Sequence, residues 1–67
     1  MLEGFTFDDK DGIAEIRDAG GRVRTIAQVA RIDYYRNAVI IRVAGGAGFI
    51  VGPESVLGVR WNDATLK

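Results

Sequence analysis

The chain has 67 residues with no cysteine and no histidine, and its nine basic side chains balance nine acidic ones to a formal net charge of zero. Disulfides, Cys/His zinc sites and nucleophile chemistry built on a Cys–His or Ser–His–Asp arrangement are therefore excluded. Hydrophobic residues make up 48 % and charged residues 27 %, the balance of one folded domain rather than of a disordered chain.

Fourteen valines and isoleucines stand against three leucines, with nine glycines and a single proline. β-Branched side chains are stiff at χ1 and suit pleated strands, so the expected elements are short strands joined by glycine turns. Phe5-Thr6-Phe7 alternates as a first strand, and Asp8-Asp9-Lys10-Asp11-Gly12 carries an Asp-Gly hairpin signal. Ile13 to Asp18 is then the returning strand, and Ala19-Gly20-Gly21 the second turn.

Arg22 to Tyr35 continues for 14 residues without Gly or Pro, long against the roughly 5–6 residues of a common strand. Val23, Ala27 and Val29 share one parity while Ile32 and Tyr34 take the other. An apolar set that changes face predicts a bulge or bend near Ala30. A short helix over Thr25–Asp33, with Ile26, Val29 and Ala30 on one side, is the alternative. Arg36-Asn37 is a two-residue turn candidate. Ala38 to Val43 is the strongest strand, with Val39, Ile41 and Val43 facing the core and Ile40 facing away. Ala44-Gly45-Gly46-Ala47-Gly48 is a loop and Phe49-Ile50-Val51 a strand stopped by Gly52-Pro53-Glu54-Ser55. Leu57, Val59 and Trp61 alternate in a closing strand, and Asn62 to Lys67 reads as a loose tail beyond a domain of residues 1–61.

The expected fold is all-β: a small antiparallel barrel of five or six strands, or a strongly bent sheet, with room for a short helical or 3-10 turn. Gly48-Phe49-Ile50-Val51-Gly52-Pro53-Glu54-Ser55-Val56-Leu57-Gly58-Val59 is similar in style to the end of SH3-like barrels, where a Gly-aromatic-Ile strand leads through a Pro and a 3-10 turn into the closing strand. The resemblance covers those dozen residues and implies a fold alone. The acidic-aromatic motif and mid-chain Trp pair of true SH3 domains are absent, so no binding residue is carried over.

Charge is uneven along the chain. Residues 1–18 hold Glu3, Asp8, Asp9, Asp11, Glu15 and Asp18 against Lys10 and Arg17, a net −4. Residues 19–60 hold Arg22, Arg24, Arg31, Arg36, Arg42 and Arg60 against Asp33 and Glu54, a net +4. Pairing of the two within the sheet is one reading; contact with a partner is the other.

Several motifs carry no chemistry. The Gly45–Gly48 loop leads into a strand and lacks the Lys-Ser/Thr of a phosphate cradle. Asp9-Lys10-Asp11-Gly12 resembles a calcium loop only in part, with Phe7 standing where the first ligand belongs. Asp8, Asp9 and Asp11 crowd a turn instead of facing one another across a cleft, and Ser55 and Lys10 form no nucleophile–base pair. No catalytic, cofactor-binding or metal-binding residue is assigned, and the chain is expected not to be an enzyme.

The arginine–aromatic set remains. Arg22, Arg24, Tyr35, Arg36, Ile40, Arg42, Arg60 and Trp61 are the candidate partner-binding residues. Ile40, Ile50, Tyr35 and Trp61 would form an apolar patch rimmed by Arg36, Arg42 and Arg60, the composition of interface hot spots. The expected function is a protein-interaction module that forms a homo-oligomer or docks on a larger protein, because so small a core lacks any other staple. The alternative is an RNA- or single-stranded-DNA-binding barrel, in which Arg22 and Arg24 meet phosphates and Tyr34, Tyr35 or Trp61 stack on bases; a pI near 6.1 argues against it. No stretch reaches the ~20 apolar residues of a membrane helix, and Met1-Leu2-Glu3-Gly4-Phe5 has no leader character. A cytoplasmic protein away from the membrane is expected.

Overall fold

The computed structural model describes residues 2–62. Six strands lie in it: β1 (Glu3–Thr6), β2 (Gly12–Arg17), β3 (Val23–Tyr34), β4 (Val39–Val43), β5 (Gly48–Val51) and β6 (Val56–Trp61), with 3-10 turns at Asp8–Lys10 and Pro53–Ser55. They form one antiparallel sheet in the order β5-β4-β3-β2-β6, with β1 also paired to β3. Among the described residues no ladder joins β5 to β6, and the fold is a strongly bent sheet wrapped around one core. Among the described residues no helix is long and apolar enough to cross a membrane.

The Asp8–Gly12 segment does not fold the chain back as the Asp-Gly signal predicts. β1 pairs with Arg31–Tyr34 and β2 with Val23–Val29, both antiparallel to β3. The two are one interrupted strand, and the 3-10 turn is a jog in it. The reason lies in β3: 12 residues of it need partners along their whole length, and a β1–β2 hairpin would strip half of them. Phe7 fixes the jog. Its N–H donates to Ala30 O at 2.8 Å and its ring is buried over Gly12.

The long strand bends by two bulges, one at the expected place. Ala30 is the extra residue between the Val29–Val43 and Arg31–Arg42 pairs. Ala27 and Gln28 together oppose Ile13, with Gln28 at φ 57°. Each bulge flips the parity, so Ile26, Val29 and Ile32 point inward. That three-residue spacing imitates a helix, which is why Thr25–Asp33 admits a helical reading; the segment is strand. Val23 and Ala27, expected on the same face as Val29, are separated from it by the Ala27–Gln28 bulge: Val29 is buried, whereas Ala27 is exposed and Val23 is 54 % exposed.

β4 behaves as expected: Val39 and Ile41 are fully buried and Val43 packs against them. Tyr35 N–H donates to Ala38 O at 2.8 Å, closing the Arg36-Asn37 turn. In β6 a third bulge, between the Glu15–Gly58 and Ile16–Val56 pairs, throws Leu57 outward. Val56 replaces it beside Val59 on the core face. Phe7, Ala14, Ile16, Val29, Ile32, Val39 and Ile41 form the buried core. Asn62 N–H donates to Asp11 O at 2.9 Å; the remainder of the expected tail, 63–67, lies outside the described residues.

Candidate functional site

The jog between β1 and β2 has a consequence at the sheet's end. The β2–β6 ladder runs from Ile16–Val56 to Gly12–Trp61. Beyond the jog, β1 follows β3. Between β1 and the end of β6 the core opens as a groove of about 290 Å³ lined by Phe5, Phe7, Tyr34, Val59, Arg60 and Trp61. Four of the six aromatic residues of the chain meet there.

Register explains why they converge. Phe5 pairs with the buried Ile32 and Glu3 with Tyr34, so Phe5 and Tyr34 lie on the core side of their strands. Val59 pairs with the buried Ala14 and Trp61 with the buried Gly12, which puts them on the core side of β6. Phe7 is the buried floor. Its ring meets Trp61 at 4.9 Å between centroids and 65° between planes. Phe5 meets Tyr34 at 6.2 Å and 87°. Both are edge-to-face contacts, the arrangement that the ring quadrupole favours. The walls remain wet: Phe5 is 44 % and Trp61 50 % exposed.

Two charges border the groove. Burial, and then the nearby Glu3 carboxylate, push the Tyr34 phenol above its ordinary value of 10.0, so it stays neutral at physiological pH. Arg60 is held from outside, its Nη1 donating to Glu15 Oε1 at 3.0 Å.

The remaining arginines are mostly engaged within the sheet. Arg24 Nε donates to Asp18 Oδ2 at 2.8 Å. Asp18 Oδ1 accepts from the N–H groups of Gly20 and Arg22 at 2.9 and 3.0 Å and closes the β2–β3 turn. These bonds, the Arg24 guanidinium foremost, hold the Asp18 carboxyl below its ordinary value. On the outer face Arg31 and Arg42 stand directly opposite each other, a repulsive pairing for like charges. Asp33, only 4 % exposed, lies between them. It accepts from Arg31 Nε at 2.8 Å and faces Arg42 Nε at 3.7 Å as an ion pair. Arg31 Nη1 also donates to Thr6 Oγ1 at 2.7 Å. Arg22 and Arg36 make no ion pair among the described residues.

The candidate set is thus dispersed. Arg22 and Arg24 are at the β2–β3 turn, Tyr35 and Arg36 at the β3–β4 turn, Ile40 and Arg42 on the outer face of β4, and Arg60 and Trp61 at the groove. The expected patch of Ile40, Ile50, Tyr35 and Trp61 is split, because Ile40 and Ile50 pair on the outer face while Trp61 turns to the core side. Phe5, Phe7, Tyr34 and Val59 are the groove residues absent from the candidate set. An aromatic pair at the start of the chain and a tryptophan near the end were the available signal, and only the β2–β6 ladder shows that they meet. No family model, curated protein or solved structure matches the chain.

Proposed function

We propose that this protein is a non-catalytic protein-interaction module that receives a segment of a larger protein in the groove between β1 and β6. The half-exposed Phe5 and Trp61 walls over the buried Phe7 floor carry this reading. Leaving two large rings half in water forgoes roughly half of the 1.5–3 kcal/mol that full burial of each side chain contributes, and a docked segment recovers that part. Tryptophan, tyrosine and arginine around a concave apolar centre are the residues that dominate interface energetics, and Tyr34, Arg60 and Trp61 are all present.

Selection of peptides from a random display library on the folded domain tests the reading. Selected peptides are expected to shift Trp61 emission and to bind at least tenfold more weakly to Phe5→Ser. A selection whose peptides leave Trp61 emission and Phe5→Ser affinity unchanged overturns it.

Self-association through β5 is the second reading. This strand ends the sheet order, and its Ile50 is 74 % exposed beside a partly covered Ile40. A row of unpaired backbone groups next to exposed apolar side chains is a template for edge pairing. Nucleic-acid binding ranks below both, because Arg24, Arg31, Arg42 and Arg60 are each held by a carboxylate of the chain itself.

A further inference from the structure

The groove has a sign. Glu3 lies across from Tyr34 on β1, and its charge reaches the Tyr34 phenol. Asp8 and Asp9 follow Phe7 directly in the 3-10 turn. All three carboxylates are exposed and make no ion pair among the described residues. Lys10 is the single cation in that turn. Among the described residues the one cation lining the groove, Arg60, is ion-paired with Glu15 at 3.0 Å. On the β1 side, the charges that flank the groove residues Phe5 and Phe7 in the chain are thus mostly carboxylates, with Glu3 facing Tyr34, although the whole chain is neutral.

The walls have a matching chemistry. Phe5 and Trp61 each keep about half of their surface in solvent, and an aromatic face is the negative end of the ring quadrupole. Two edge-to-face pairs line this groove. A cation within about 6 Å of a ring centroid is attracted to it, best of all to tryptophan. At about 290 Å³ the groove lies at the lower edge of the roughly 300–1,000 Å³ typical of small-molecule sites. That is room for a side chain and its flanking backbone rather than a large cofactor.

From these observations we infer that the partner segment is basic and that an arginine or lysine side chain enters the groove, its stem along Val59 and Phe7 and its charged head toward Trp61, Tyr34 and Glu3. The inference rests on the groove being the binding surface, and it adds the chemistry of the occupant. Carboxylates flanking the β1 side of the groove steer the basic segment, and the solvent-exposed rings hold the cation once water is displaced.

Three glycine–serine peptides of equal length test it, each with three spaced positions occupied by arginine, by its neutral isostere citrulline, or by leucine. Binding is read from the Trp61 indole resonance of the whole protein. The arginine peptide is expected to bind about two- to fivefold more tightly than citrulline, the range a partly exposed cation–π contact supplies, and to weaken in Glu3→Gln. Equal binding of arginine and citrulline, or tighter binding of leucine, overturns the charge inference while leaving the groove as the binding surface. Failure of all three peptides to move the indole resonance overturns the inference, and the groove reading is then decided separately by the library selection.

Discussion

Gly12→Ala is the sharpest perturbation of the arrangement that builds the groove. A Cβ at Gly12 would stand 2.6 Å from two atoms of the Phe7 ring and 2.9 Å from a third. Those atoms belong to a buried ring whose neighbours are Trp61 and the core, so the ring cannot swing clear without losing its place. Overpacking of this kind costs about 1–3 kcal/mol, and partial loss of Phe7 burial adds to it. The expected destabilisation is about 2–3 kcal/mol, a large part of the roughly 3–10 kcal/mol available to a domain of this length. The melting temperature should fall by roughly 10–20 °C. Urea titration followed by Trp61 fluorescence measures the change, and the native emission should also move because the Phe7 contact is disturbed. Gly58→Ala is the control: a Cβ there meets nothing within 4 Å, so its effect should stay within about 0.5 kcal/mol. If the two variants unfold at the same urea concentration, the account of the jog is wrong.

Asp33→Asn removes the charge that Arg31 and Arg42 share; with both guanidiniums partly in water, the expected loss is about 1–3 kcal/mol, read by the same titration, and an unchanged midpoint would contradict the bridging role. Asp18 gives a pH signature. Its carboxyl lies below the ordinary 3.8 in the fold, so its stabilising contribution is fully present above that value and is lost as pH falls through the lower folded value. The stability gap between the wild type and Asp18→Asn should be constant near neutrality and close below about pH 4; a gap that narrows instead toward alkaline pH would refute this assignment. Ile50→Lys should abolish any concentration-dependent sedimentation of the wild type while leaving far-UV dichroism unchanged, and sedimentation identical in both proteins would remove β5 as an assembly edge. A labelled single-stranded oligonucleotide should show no salt-steep binding; a steep salt slope that flattens in Arg22→Ala would revive the nucleic-acid reading.

The all-β class was readable in the chain because its β-branched excess and glycine turns agree with each other. β4 was readable because Val39, Ile41 and Val43 keep a strict period of two. The bend at Ala30 was readable because a parity change has few other causes. The second bulge at Ala27–Gln28 was hidden: two parity flips in succession leave Ile26, Val29 and Ile32 at a spacing that a helix also produces. The Asp-Gly signal misled because turn chemistry is local, whereas the pairing of β1 and β2 is set by the length of β3. The aromatic groove was out of reach for a related reason. Phe5 and Phe7 meet Tyr34 and Trp61 only through ladders between distant segments, and no local pattern carries that information. The arginines were visible as residues, but their pairing with Asp18, Glu15 and Asp33 depends on register.

The proposed groove and the arginine-bearing outer face are the two surfaces that a binding measurement must separate. Backbone and indole shift mapping of the isotope-labelled protein, titrated with a peptide from the library selection, distinguishes them directly. Shifts are expected to concentrate at Phe5, Tyr34, Val59, Arg60 and Trp61. Shifts concentrated at Ile40, Arg42 and Ile50, with the groove residues unmoved, would contradict the proposal.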